Sequence, residues 1–395
     1  VIVLQTFSMK NKTLIIIVII TATAAVLSLG IYQKRTHQIN ASLLQIEQLM
    51  YERPDSAWKI LQHMPPILQL RKEEQALHAL LFTQAQYKNY IPVKSDSLLQ
   101  IAEAYYRTSS DSLHKAWTLF YLAQYYRDSD EKEKALSYFQ QANIASRNIE
   151  NNQFKFLLNL HWAGLLTNED AYEKGIEKYQ TANRYAILLK DTLKQINLYG
   201  KWGWCCLLKE EDERADSLFN VGLTLSATTK DRIYDKYLLN RLSLTARERK
   251  DYKRALELVN RSLSLAKDST ELYPLWGNKG KILLEMNQYD SAHFYLSKDT
   301  RDYDPYFRVS RYLDWSIYEE KIKNLPKALE YSKRYAELLD TIYQKRLESK
   351  VVNLQHKYDY SLIQSENKLL KIKRQRLYIS CLLYTSPSPR DLSTS

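Results

Sequence analysis

A small residue recurs along this chain at nearly constant spacing, and that register limits the fold more than any other feature. Ala135, Gly175, Ala215, Ala255, Ala292 and Ala328 are separated by 40, 40, 40, 37 and 36 residues. Each is the centre of the same local pattern. About twelve residues upstream stands a second small residue, in most copies preceded by Trp or Leu, as in Leu122-Ala123, Trp162-Ala163, Trp202-Gly203, Leu242-Ser243 and Trp315-Ser316. Trp276 and Gly280 hold the corresponding places in the fifth copy. Downstream come an aromatic or branched residue and another small one, as in Phe139 and Ala142, Tyr179 and Ala182, and Phe219 and Gly222. Two helices that cross closely need side chains no larger than a methyl group at the crossing, with large rings filling the grooves beside it. Each copy therefore reads as a helical hairpin, a helix A followed by a helix B. One hairpin cannot bury its apolar faces alone, so the copies must stack.

This spacing resembles the tetratricopeptide repeat, W-x2-L-G-x2-Y followed by Y-x2-A-x3-F-x2-A. The resemblance covers about Ile39 to Leu339 and implies an all-α fold, a right-handed superhelical solenoid of stacked hairpins. The structural positions it assigns are Ala123, Ala135, Ala163, Gly175, Gly203, Ala215, Ala255, Gly280, Ala292 and Ala328. The period exceeds the usual 34 of that repeat, so longer helices or longer connections must absorb the surplus. Two further copies are expected upstream, around Asp55 to Trp58 and around Ser97 to Tyr105, with helix breaks at Pro65-Pro66 and Ile91-Pro92.

Composition agrees with long helices. Only 8 Gly and 9 Pro occur in 395 residues, too few for a sheet protein with many turns. Tyr is abundant, at 31, which suits half-buried positions between stacked helices, with a ligand surface as the sharper alternative. The net charge of +12 is mostly interspersed with acids, as in Asp130 to Lys134, the mark of a solvated helix face. The dense basic run is Lys368, Lys371, Lys373, Arg374 and Arg376; contact with anionic lipid explains it better than nucleic acid, so no direct nucleic-acid contact is expected.

Leu14 to Ile31 carries no charged residue, and its 18 residues at about 1.5 Å each can just cross a bilayer core. Lys10 and Lys12 precede it, and MKNK from Met9 reads as a bacterial export n-region, with the residues before it as upstream read-through. A signal or anchor helix within residues 1–38, a repeat array over 39–345, and a capping helix or coiled coil over 346–376 are the expected divisions. The last of these rests on the stripe Leu347, Val351, Leu354, Tyr358, Leu362 and Leu369, through which two chains could pair as a dimer. Residues 377–383 open a second apolar segment, and 384–395, YTSPSPRDLSTS, read as sequence foreign to the gene.

The layout resembles membrane-anchored tetratricopeptide regulators of Bacteroidetes-like bacteria. That resemblance implies a periplasmic array, a second span where 377–383 begins, and a cytoplasmic output beyond it. It also implies that the array captures a protein or peptide ligand on its concave face and relays occupancy to its last helix. The helix A residues expected on that face are Asn159, Tyr199, Asn240 and Tyr312. A scaffold for an envelope complex is the alternative. Catalysis finds no support. Gly277 to Lys281 lacks the spacing of a phosphate loop, the seven His are scattered, and Cys205, Cys206 and Cys381 make neither a disulfide framework nor a metal site. No enzyme activity, cofactor or metal is expected.

Overall fold

The computed structural model describes residues 27–30, 34–230, 232–300 and 305–344. No helix among them is long and apolar enough to cross a membrane. The apolar segment 14–31, apart from 27–30, and everything assigned to 346–395 lie outside the described residues.

The described residues are all-helical, with sixteen α-helices and no strand. Ten fall in a first compact unit that ends at Tyr234. They are α1 (34–52), α2 (Pro54–Gln62), α3 (Lys72–Lys88), α4 (Ser97–Tyr106), α5 (Ser112–Asp128), α6 (Lys132–Ala145), α7 (Asn152–Asn168), α8 (Tyr172–Leu189), α9 (Thr192–Leu208) and α10 (Asp212–Ser226). The second unit begins at Asp235 and contains α11 (Asp235–Glu248), α12 (Tyr252–Leu265), α13 (Ser269–Glu285), α14 (Tyr289–Lys298), α15 (Pro305–Lys321) and α16 (325–344).

Odd-numbered helices from α3 are the A helices and even-numbered ones the B helices. Within each unit an A helix packs most heavily on its own B, as in α7 with α8 and α11 with α12, that B then packs on the next A, as in α8 with α9 and α12 with α13, and A touches the following A, as in α5 with α7 and α11 with α13. The recurring small residues lie at these crossings. Ala123, Ala135, Ala163, Ala215, Ala255 and Ala292 are fully covered, Gly175, Gly203 and Gly280 are buried, and Ala328 is 8% exposed. A Cβ on Gly280 would lie 2.8 Å from Leu296, and one on Gly175 3.1 Å from Thr167 Oγ1. Where the copy has serine instead, the hydroxyl spans the crossing. Ser243 Oγ donates to the carbonyl of Ala255 at 2.9 Å, and Ser316 Oγ to that of Ala328 at 3.1 Å.

Rings fill the grooves, as the sequence leads one to expect. Phe139, Phe154, Phe219 and Tyr179 are essentially fully buried, each worth roughly 1.5–3 kcal/mol over exposure. Several tyrosines go deeper than half-burial: Tyr106, Tyr121 and Tyr179 are all under 5% exposed, and burial drives their phenols above the ordinary value.

Every A-to-B turn is the same structure. Tyr90, Asp130, Asp170, Glu210, Lys250, Asn287 and Lys323 all adopt positive φ, and no glycine does. In each case the next residue's N–H reaches back five residues in the sense of a Schellman turn: Glu131 to Tyr126 O at 2.8 Å, Glu211 to Cys206 O at 2.9 Å, Asn324 to Glu319 O at 2.8 Å. From Asp130 onward the left-handed residue stands five before the small residue of helix B, so both series keep one spacing. The A helices start alike too. Asp111, Asn151 and Asp191 cap α5, α7 and α9 by accepting from the N–H three residues on, at 2.9–3.0 Å. Six A helices, α3, α5, α7, α9, α13 and α15, are each 17 residues long and α11 has 14, while the B helices from α4 to α14 run from 10 to 18. The surplus over a 34-residue period is thus held mostly by the B helices and the connections after them.

Candidate ligand-binding face

The four helix A residues singled out from sequence occupy different surroundings. Asn159 on α7 is only 4% exposed, and its Nδ2 donates to Lys155 O of its own helix at 2.8 Å. Tyr199 on α9 is half-buried and stacks on Trp202, 6.4 Å between ring centroids and 13° between planes. These two are not joined to one another. Nearby, Arg127 of α5 meets His161 of α7, NH1 to Nδ1 at 3.2 Å. A guanidinium can only donate, so that imidazole is neutral with its proton on Nε2. Burial first, then the charges of Arg127 and Lys201, push it down to about 3.

Asn240, on α11, belongs to a continuous polar row across the A helices of the second unit. Asn278 of α13, 5% exposed, donates through Nδ2 to Asn240 Oδ1 at 2.9 Å and to Ser243 Oγ at 3.1 Å. Arg247 NH1 of α11 lies 3.5 Å from Asn278 Oδ1. One helix further, Lys281 Nζ donates to Ser310 Oγ at 2.9 Å and pairs with Asp314 Oδ2 of α15 at 3.1 Å. Burial raises the Asp314 carboxyl, while Lys281 and Arg247 pull it back. Burying amides and charges costs free energy unless each finds a partner, and this row supplies those partners from helix to helix. Asn240 itself is half-buried and has no described partner for its Nδ2.

Tyr312 opens onto a different feature, a cavity of about 750 Å³ bounded by the end of α14, residues 299–300, α15 and α16. Tyr312 and Trp315 of α15 flank Tyr331 of α16, with centroids 6.4 and 6.1 Å away. Arg308, Arg311 and Arg334 line the same space, with the carboxylate of Asp299 as the acid among them. Arg311 NH1 donates to Asp299 O at 3.4 Å. Sequence reasoning missed these arginines, because an Arg on a helix looks the same whether it faces water or a cavity. It also passed over Asn278 and Lys281, noticed only inside a spurious phosphate-loop pattern. Among the described residues no group of three or more His, Cys, Asp or Glu side chains is placed to hold a metal ion. Cys205 and Cys206 are buried, with the Cys206 thiol pushed up to about 12 by its surroundings, burial foremost.

No family model and no curated protein matches the chain. Its likeness to solved structures is extensive. The apo form of the quorum sensor NprR from B. thuringiensis aligns over 81% of this chain and 98% of its own, with TM-score 0.60 and 12% identity. A tetratricopeptide repeat protein from Parabacteroides merdae aligns over 67% of this chain and 93% of its own, with TM-score 0.50 and 14% identity. The fold is of tetratricopeptide type. NprR in complex with its cognate peptide NprX aligns over 77% of this chain and 88% of its own, with TM-score 0.57 and 15% identity. Identities this low speak for the shared tetratricopeptide-type architecture alone.

Proposed function

We propose that this tetratricopeptide-type array binds a peptide or a protein segment along the A helices of its second unit and has no catalytic role. The observation that carries the reading is the row Asn240, Asn278, Arg247, Lys281 and Asp314. A peptide backbone presents one donor and one acceptor per residue, and a side-chain amide matches both. Asn240 is held in place by Asn278, so little rotamer freedom is left to lose when a ligand arrives. NprR, a neighbour in fold, is known in complex with its cognate peptide, which supports the same use here.

The array is exported behind the apolar segment 14–31, which anchors it, and it serves as the input part of a bacterial transmembrane signalling protein whose last helix pairs with that of a second copy. The support is the charge-free stretch Leu14 to Ile31 with Lys10 and Lys12 before it. Alkaline phosphatase fused after Lys350 should be active. A silent phosphatase with an active cytoplasmic reporter at the same point would overturn the placement. For ligand binding, the full chain in lipid nanodiscs should select peptides from a displayed library. Asn240→Leu should weaken the selected peptides about tenfold and also lower the melting temperature, because buried Asn278 loses an acceptor, so affinity is compared at a temperature where both chains are folded. Unchanged binding in that variant would remove the polar row from the reading.

A further inference from the structure

A cavity of about 530 Å³ lies between α1 and the end of α2, in the first hairpin of the array. Its wall is apolar where Ile39, Ile60 and Met64 line it and cationic where Arg35 and Lys59 do; no carboxylate is among the lining residues. Arg35 and Lys59 are exposed, so a ligand meets both from outside. Arg35 commits one N–H to Gln69 Oε1, at 2.9 Å, and a guanidinium has several more to offer. His63 lines the cavity too, but its Nδ1 is 2.7 Å from Lys59 O. A carbonyl only accepts, so that imidazole proton is spent within α2, and the groups left for an anion are Arg35 and Lys59.

Chain length puts this cavity at a membrane surface once the apolar stretch Leu14 to Ile31 lies in a bilayer. From Ile31 to Arg35 is four residues, which reach at most about 14 Å when fully extended. The headgroup layer beyond the hydrocarbon is itself about 5–8 Å deep on each side. Arg35 therefore stands at headgroup depth or just above it, whatever path the chain takes. A second observation agrees. Leu68, next in sequence to the Gln69 that holds Arg35, is 86% exposed, and a leucine that bare gains free energy on entering lipid.

We propose that this cavity seats the phosphate of an anionic lipid headgroup on Arg35 and Lys59, with the glycerol and first acyl carbons against Ile39, Ile60 and Met64. The inference rests on the reading that Leu14 to Ile31 anchors the chain, and it adds the lipid that the flank of that anchor selects. Both cations give a phosphodiester charge-assisted hydrogen bonds, and the apolar wall favours a lipid over free phosphate.

Native mass spectrometry of the full chain in dodecyl maltoside measures the lipid retained. The chain should hold one phosphatidylglycerol about fivefold more tightly than phosphatidylcholine, and Arg35→Gln and Lys59→Gln should each remove about that factor. Lys34→Gln deletes a neighbouring charge that does not line the cavity and should change retention little. Equal retention of the two lipids, unchanged retention in both cavity variants, or an equal loss in Lys34→Gln would overturn the site. Displacement of the lipid by millimolar inorganic phosphate would make free phosphate the ligand and overturn the lipid assignment. Flotation of the same chain with phosphatidylcholine vesicles after a carbonate wash reports the anchor separately. If the chain floats and the retention tests fail, the anchor stands and the cavity assignment alone falls. If the chain washes off, both fall.

Discussion

Gly203 and Phe219 meet so closely at the crossing of α9 and α10 that a Cβ on the glycine would lie 2.5 Å from the ring's Cε1. Phe219 is fully buried and cannot swing away without opening the core around it. Gly164, one repeat earlier and on the adjacent helix, has open space instead, with only the Tyr179 hydroxyl within reach at 3.9 Å.

The two glycines should therefore respond in opposite directions to the same methyl group. Gly203→Ala should destabilise the chain by about 1–3 kcal/mol through overpacking. Gly164→Ala should stabilise it by roughly 0.5–1 kcal/mol, the helix preference of alanine over glycine. Urea unfolding of the two variants beside wild type checks this, and changes of equal sign would contradict the crossing geometry.

Lys250 is exposed and holds a φ of 63°, a conformation that costs an L side chain about 1–2 kcal/mol per residue. Glycine removes that strain but gains freedom in the unfolded chain, so the net gain for Lys250→Gly should be about 0.5 kcal/mol. Asn287, at φ 60° in the next turn, tolerates the conformation better, and Asn287→Gly should gain less. Paired thermal melts would show the ordering; a loss of stability in Lys250→Gly would refute it.

The third expectation concerns pH. His114 on α5 sits between two carboxylates, Nδ1 2.5 Å from Asp111 Oδ2 and Nε2 3.1 Å from Glu47 Oε1 of α1. Burial favours the neutral ring, but the hydrogen bonds and charges of Glu47 and Asp111 win and raise the imidazole from 6.5 to about 9. A pKa raised on folding stabilises the fold while the proton is bound. That contribution is fully present below about 6.5 and is lost as pH rises through about 9. His114→Gln should therefore cost more stability at pH near 6 than at pH near 9.5. An equal cost at both ends would mean that the ring is not charged in the fold.

Serine at a crossing should matter by its hydroxyl. Ser243→Ala removes a buried bond to Ala255 O and should cost about 0.5–1.5 kcal/mol. Ser316→Ala, at a half-buried crossing with a longer bond of 3.1 Å, should cost less. Denaturant midpoints with unchanged slopes would report both.

Much of the hairpin order could be read from sequence because a helix crossing demands a small residue, and Ala135, Gly175 and Ala215 advertise it at fixed spacing. The A-to-B turns were invisible for the opposite reason. A left-handed turn usually announces itself by glycine, and here Asp130, Glu210 and Lys250 take that conformation with ordinary side chains. Ligand-facing positions were harder still. Asn159 and Asn240 look alike in sequence, yet one spends its amide on its own helix and the other joins a row built from three helices. Which of these happens depends on the rotation and tilt of neighbouring helices, which no local pattern encodes. The arginines around Tyr312 gather only because α14 stops early.

The constant turns and the shared 17-residue length of most A helices have a practical consequence for anyone inserting sequence into this chain. Between a left-handed turn residue and the next A helix, the chain has already tried several routes: α8 is 18 residues long with Lys190 and Asp191 as its whole connection, whereas α6 is 14 residues long and followed by residues 146–151. An epitope tag or a protease site threaded into 146–151 should therefore leave the hairpins on either side intact. The same tag at Lys250 would break the joint that sets where the next helix starts.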